Sequence, residues 1–312
     1  MPTENDSFLF PPQASTYAAD VDALYYFIHY VGVFFWVLIV AAIVYFLWRY
    51  RRGHKEGVGP SHSLPLELTW SIIPLILVIA MFLWGFKGFM TLSRAPGNAE
   101  TINVTARKWS WNFEYGNGQR LTNELHVEVN KPYKLVMTSE DVIHSFYVPS
   151  FRNKMDVIPG RYTTFWFEAT QTGEHQVFCT EYCGDGHSDM LAKIHVHTPE
   201  DFAKWQKESQ VEDTTTPLPE LGAKLYNSRA CFTCHSTDGS AKVGPSFKGL
   251  FGKQEQLADG TTVTVDEEYL RESMLQPNAK VVQGFQPVMP TYQGQLTDRE
   301  ISGLIEYIKT LQ

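Results

Sequence analysis

The sequence predicts a multidomain membrane protein: a two-helix hairpin, an all-β unit and a C-terminal all-α unit. Three observations predict it. Two long apolar runs lie near the N-terminus, short Val-, Thr- and aromatic-rich runs alternate with turn residues in the middle, and the last stretch carries apolar residues at helical spacing. The chain of 312 residues is long enough for two ordinary domains plus a membrane segment.

The first apolar run, Leu24 to Trp48, holds no Asp, Glu, Lys or Arg across 25 residues. A hydrocarbon core of about 30 Å needs only about 20 helical residues to cross it. The second, Leu68 to Met90, has one charge, Lys87, near its far end, where a lysine can snorkel to the interface. Between the runs stand Arg49, Arg51, Arg52 and Lys55 against Glu56 and, at the very edge of the second run, Glu67, whereas the N-terminal tail has Glu4, Asp6, Asp20 and Asp22 and no base. The excess of basic residues places the connecting loop in the cytoplasm and both termini outside. Residues 1–20 lack a basic start and an apolar run, so the first segment is expected to be an uncleaved anchor.

From about Glu100 to Val196 the runs TINVTARKWSWNFEY, ELHVEVN, YKLVMTS, TTFWFEA, EHQVFC and LAKIHVH are punctuated by Gly116-Asn117-Gly118, Asn130-Lys131-Pro132, Pro159-Gly160 and Gly173. That pattern predicts a β-sandwich or barrel. Thr198-Pro199-Glu200 reads as a helix start with proline at the first helical position. The boundaries expected are a tail (1–20), a hairpin (21–92, helices about 24–48 and 68–90), an all-β domain (93–208), a linker (209–218) and a helical domain (219–312). The closing run LTDREISGLIEYIKTLQ puts Ile301, Leu304, Ile305 and Ile308 on one helical stripe. With 44% hydrophobic residues the chain is not disordered as a whole, and its net charge of −8 argues against nucleic acid as a partner while leaving room for a basic protein.

Four cysteines fall in two close pairs. In an oxidising compartment the plain reading is two disulfides, but their neighbours argue otherwise. In VFCTEYCGDGHSDM, Cys179, Cys183, His187 and Met190 crowd two thiolates, an imidazole and a thioether into one loop. Such soft-to-borderline ligands suit copper, and two bridging thiolates suit two copper ions; methionine is a poor zinc ligand. A second imidazole must come from elsewhere, and His144 in EDVIHSFYVPS is the best candidate; Glu181 has a backbone carbonyl to offer. His126, His195 and His197 sit in strand-like runs, and His29, His54, His62 and His175 have no partner cluster; all are read as packed or solvated. The second pair, Cys231-Phe-Thr-Cys234-His235, is the attachment signature of a c-type haem, with His235 placed beneath the iron. A thioether as sixth ligand raises the potential. Met289, in a proline-flanked loop, is favoured over Met274, which falls on the packed stripe of a helix-forming run from Asp266 to Leu275.

With these motifs in view, residues 20–208 resemble cytochrome c oxidase subunit II, and residues 219–312 resemble a class I cytochrome c; the fusion is similar to the caa-type branch of haem-copper oxidases. The resemblance rests on ELTWSIIP, RKWSWNFEY, DVIHSFYVPSFRNKMDVIPGR and the copper loop. It implies a cupredoxin-like Greek-key β-sandwich holding a dinuclear CuA centre on His144, Cys179, Glu181 (by its carbonyl), Cys183, His187 and Met190. It further implies that the Glu181 side chain reaches a magnesium ion shared with subunit I, that Trp109 receives electrons from a cytochrome c, and that Glu67 stands at the mouth of a proton channel into subunit I. An acid at that point also favours the helix dipole by itself. Pro245, in GPSFKGLFG, matches the proline that packs by the haem and supports the proximal histidine.

The implied function is electron entry into a respiratory oxidase of the plasma (inner) membrane, with the copper and haem domains on its outer side. A soluble cytochrome c, or a quinol:cytochrome c reductase, is the implied donor. Electrons pass by way of haem c and CuA to subunit I, where oxygen is reduced and protons are pumped; other oxidase subunits and the bilayer are the remaining partners. The chain has no ligand set for oxygen reduction itself. A CuA-type nitric oxide reductase is separated from this reading only by its partner chain, and a non-enzymatic membrane-anchored electron carrier is the other alternative.

Overall fold

A computed structural model describes residues 9–51, 62–209 and 215–312. It divides into two compact units, Thr16–Arg94 and the remainder.

The first unit is a helical hairpin. Helix α1 (Ala18–Arg49) starts several residues before the expected apolar core and ends one residue past it, and helix α2 (Leu64–Ser93) runs several residues past both ends of its own. At 1.5 Å per residue, the 32 residues of α1 extend about 48 Å, more than a hydrocarbon core requires. Their apolar side chains are largely exposed, including Trp36, Leu47, Ile76 and Phe82. Exposed apolar surface of that extent is stable in lipid and not in water. The two helices meet where Phe27 packs on Trp84, with ring centroids 5.6 Å apart. Most of the basic connecting loop used to orient the hairpin lies outside the described residues.

The second unit contains a sandwich of two five-stranded sheets. Its strands are β1 (Glu100–Arg107), β2 (Ser110–Glu114), β3 (Arg120–Thr122), β4 (Glu124–Glu128), β5 (Pro132–Ser139), β6 (His144–Val148), β7 (Asn153–Val157), β8 (Thr163–Glu168), β9 (Gly173–Cys179) and β10 (Leu191–His197). One sheet has the order β3-β2-β1-β5-β8 and the other β4-β10-β9-β6-β7. The pairs β1/β5 and β4/β10 are parallel; the other pairings in these two sheets are antiparallel. Alternate residues face inward, so Ile102, Val104, Leu135 and Phe165 of one sheet meet Leu125, Phe146, Val177 and Ile194 of the other, all buried. Each such side chain contributes about 1.5–3 kcal/mol on burial. Residues 9–15, expected as plain tail, join this sandwich: Ser15 bridges Ala169, and Ala14 N–H donates to the Ser150 carbonyl at 2.9 Å.

Two differences from the expected strands matter for function. The run TINVTARKWSWNFEY is a hairpin rather than one strand, with Arg107 paired to Ser110 and Lys108-Trp109 at the turn. The turn is held by a remote side chain, because Lys108 N–H donates to Asp141 Oδ2 at 2.7 Å. His144 opens strand β6, where its backbone position is fixed by pairing with Val157 on β7. Helix α3 (Pro199–Glu208) follows, with the Thr198 hydroxyl accepting from Asp201 N–H, as its start signal predicts.

The C-terminal part holds α4 (Leu218–Ser228), the short α5 (Cys231–Cys234), a small hairpin of β11 (Gln254–Gln256) and β12 (Thr262–Thr264), α6 (Glu267–Leu275) and α7 (Asp298–Thr310). Of the expected linker, residues 210–214 lie outside the described residues. Helices α4 and α7 cross at Gly222 and Gly303, where a Cβ on Gly222 would strike the Gly303 carbonyl and Tyr307. The predicted stripe Ile301, Leu304, Ile305 and Ile308 is buried, and Thr297 with Glu300 forms a capping box at the start of α7. Met274 is likewise buried on the inner face of α6.

Candidate functional site

The loop between β9 and β10 brings together every side chain singled out there. Cys179 ends β9 and Met190 precedes β10; Cys179, Cys183, Met190 and His144 are buried, and His187 is half-buried. The sulfurs of Cys179 and Cys183 are 3.9 Å apart, so they are separate thiols. His144 Nδ1 is 3.9 Å from Cys179 Sγ, His187 Nδ1 is 3.5 Å from Cys183 Sγ, and Met190 Sδ is 3.8 Å from Cys183 Sγ. The Glu181 carbonyl accepts from Cys179 Sγ at 3.3 Å, while the Glu181 residue itself is exposed. Each thiol therefore has one imidazole and one weaker donor beside it, the Glu181 carbonyl at Cys179 and the Met190 thioether at Cys183. That is the donor chemistry two copper ions require. Hydrogen bonding between the thiols, aided by His144, holds Cys179 well below the ordinary thiol value, while Cys183 is pushed up by the Cys179 sulfur and by burial. The first proton of the pair thus leaves readily, and the second is held until a cation replaces it.

Asp141 orients His144. Its Oδ1 lies 2.8 Å from His144 Nε2, which leaves Nδ1 facing Cys179. Burial opposes ionisation of this carboxyl, but hydrogen bonds from His144 and from the Lys108 and Val142 N–H groups hold it at about 2. The same residue therefore fixes a candidate ligand and the Lys108-Trp109 turn. Spacing alone did not reveal it, since its role depends on contacts across the fold.

Trp109 is buried against the loop. Its indole N–H donates to the Cys183 carbonyl at 3.2 Å. Gly184 and Gly186 make room for the ring: a Cβ on Gly186 would lie 2.5 Å from Trp109 Cδ2, and one on Gly184 would lie 3.2 Å from Cζ2. The outer side of Trp109, with Lys108 and Ser110, lines a mainly apolar cleft that is also lined by Cys231, Cys234, His235, Met274 and Met289. Cys231 and Cys234 stand three residues apart on α5, so their side chains share one face. Burial pushes both thiols up, to about 12 and about 11. His235 Nδ1–H donates to the Pro245 carbonyl at 2.7 Å, which leaves Nε2 as its available donor atom. Gly244, which the motif reading did not single out, permits this packing, because a Cβ there would lie 2.6 Å from His235 Cε1. An apolar cleft with two thiols, one oriented imidazole and a thioether fits a covalently held haem.

Family models match all three parts of the chain. The family described as cytochrome c oxidase subunit II, transmembrane domain, matches residues 3–87; its periplasmic domain matches 119–197, and cytochrome c matches 219–312. Cytochrome c oxidase subunit 2 of Thermostichus vulcanus is 30% identical over 269 residues, covering 68% of this chain and 82% of that one. The chain belongs to the cytochrome c oxidase subunit II family. The subunit 2 of Alkalihalophilus pseudofirmus is 28% identical, covering 88% of this chain and 82% of its own. Among solved structures, the periplasmic domain of subunit II from Bradyrhizobium japonicum is 32% identical, with a TM-score of 0.36, over 38% of this chain and 97% of that one.

As an oxidase subunit II, the chain combines two apolar N-terminal helices, a β-sandwich and a C-terminal cytochrome c domain. Glu67 lies in the first turn of α2, where its Oε1 accepts from Ser63 N–H at 3.4 Å and stands 3.6 Å from His62 Nδ1. A helix-start role is thus visible there. Of the histidines set aside as packed or solvated, His175 does pack, against Ser150 and Phe151. His126, His195 and His197 instead gather into one cluster on the sandwich. His54 lies outside the described residues.

Proposed function

We propose that this subunit II accepts electrons from a reduced carrier at its cytochrome c domain and delivers them, by way of the copper loop, to subunit I of a proton-pumping oxidase. When bound, a covalent haem c and a dinuclear CuA centre supply the one-electron chemistry. In this reading Cys231 and Cys234 would tether the porphyrin, and His235 and Met289 would hold its iron. His144, Cys179, the Glu181 carbonyl, Cys183, His187 and Met190 hold the coppers. The Glu181 side chain is left for a magnesium ion at the boundary with subunit I, and Glu67 for proton entry. Both soluble domains stand on the outer side of the plasma membrane.

One observation carries the reading. A single buried side chain, Trp109, both lines the cleft of Cys231, Cys234 and His235 and hydrogen-bonds the Cys183 carbonyl. A π system there links the two redox sites through one ring and one hydrogen bond. The covalent connection of the two domains keeps the local concentration of one site at the other high, without a second diffusional encounter. Asp141 serves the same link, because it holds the Lys108-Trp109 turn and His144 together.

Electron paramagnetic resonance of the oxidised chain tests the copper assignment. A signal split by two equivalent copper nuclei is expected; a four-line, single-copper spectrum would remove the dinuclear centre from the account.

A further inference from the structure

Away from the copper loop, the outer face of the sandwich carries a second cluster of ligand-bearing side chains. Strands β4 and β10 pair in parallel, with Lys193 opposite Glu124, His195 opposite His126 and His197 opposite Glu128. Residues two apart on a strand share a face, so Glu124 and His126 stand beside His195 and His197. The partners on the other face, Leu125, Val127, Ile194 and Val196, are buried in the core. One donor atom from each of Glu124, His126 and His195 lies within 4.8 Å of the other two.

We propose that Glu124, His126 and His195 form a mononuclear site for a divalent cation of the zinc type. For both imidazoles to share an ion, which lies in the plane of each ring that holds it, His195 must turn out of its parallel stack on His126. The His126 ring is stacked between His195 and Trp205 of α3, with centroids at 4.5 and 4.3 Å. Its Nδ1 shares a 2.8 Å hydrogen bond with His197 Nε2. With the proton on Nδ1, the lone pair of Nε2 is free, and this atom is 3.9 Å from Glu124 Oε2. His195 follows the same pattern. Its Nδ1 faces Glu174 Oε1 at 3.6 Å, while its Nε2 is buried and makes no hydrogen bond among the described residues. A metal-bound histidine characteristically presents one ring nitrogen to the ion and the other to an outer partner; His197 and Glu174 are those partners here.

The charge arrangement agrees. Lys193, directly across from Glu124, is held by Glu174 at 2.7 Å. Glu124 remains partly exposed, which gives an ion a path in. Two imidazoles and one carboxylate are the protein ligands of an open, three-ligand zinc site; magnesium and calcium prefer oxygen alone. A cation here would tie β4 to β10, the strand that leaves Met190 of the copper loop.

The test uses the assembled, copper-loaded oxidase, stripped of loosely held metal and titrated with Zn2+ against a chromophoric indicator. Glu124→Gln changes a partly exposed carboxylate and should fold; His195→Gln removes an imidazole. One tight equivalent is expected in the unaltered complex, weakened roughly tenfold or more by Glu124→Gln and lost in His195→Gln. Zinc-edge X-ray absorption should show nitrogen and oxygen neighbours at about 2.0–2.2 Å. Equal stoichiometry and affinity in all three proteins, or zinc with sulfur neighbours, would overturn the proposal and mark the cluster as a packing stack.

Discussion

A methyl group added at Gly186 should destabilise the protein when Trp109 is present and stabilise it when Trp109 is absent. The new Cβ would lie 2.5 Å from Trp109 Cδ2 and 2.6 Å from Cε3, both ring atoms with packed surroundings. Overpacking of this kind costs about 1–3 kcal/mol. Gly186 has φ −86°, which alanine adopts without strain. The methyl group therefore also removes unfolded-chain entropy, a gain of about 0.4–1 kcal/mol. The net expectation for Gly186→Ala alone is a loss of about 0.5–2 kcal/mol. Trp109→Ala alone loses a buried indole, about 3–5 kcal/mol. In that background the clash vanishes and Gly186→Ala gains about 0.4–1 kcal/mol. Denaturant unfolding of the four proteins in detergent, followed by circular dichroism, gives the coupling energy. If Gly186→Ala has the same effect in both backgrounds within about 0.5 kcal/mol, the indole does not sit against the copper loop as argued.

Other outcomes follow from the same contacts. Asp141→Asn weakens the partner of His144 and of the Lys108 N–H; copper affinity, measured by chelator competition, should fall by roughly 10–100-fold with the fold retained. Gly244→Ala would drive His235 off the Pro245 carbonyl, so the haem should lose its six-coordinate, low-spin spectrum while still attached through Cys231 and Cys234. Met289→Ala should abolish the thioether-to-iron band and lower the potential, whereas Met274→Leu, at a buried position on α6, should leave both nearly unchanged. Thr297→Ala removes the cap of α7 and should cost about 1 kcal/mol, read from thermal unfolding of the C-terminal domain.

The membrane helices were legible because their apolar runs are uninterrupted, and a local property suffices to define them. The two candidate cofactor motifs were legible because most of their residues lie within a dozen positions of one another. His144 was legible as a residue but not as the first position of β6, because its placement comes from pairing with β7. The break between β1 and β2 was invisible for a similar reason: RKWSW holds no Gly, Pro, Asn or Asp to mark a turn, and the turn is held by Asp141 more than thirty positions away. The histidine cluster needed the parallel β4/β10 register, which joins residues about seventy positions apart. Gly186 and Gly244 were silent, since their importance lies in what a side chain there would strike.

The central claim is that Trp109 links the two redox sites within one chain. Its most direct test is flash photoreduction at the haem of the fully loaded protein, with reduction of the copper band followed in time. A single first-order phase is expected, independent of protein concentration, that slows in Trp109→Leu although the potentials of both centres are unchanged. An unaltered rate in Trp109→Leu, or a rate proportional to protein concentration, would contradict it.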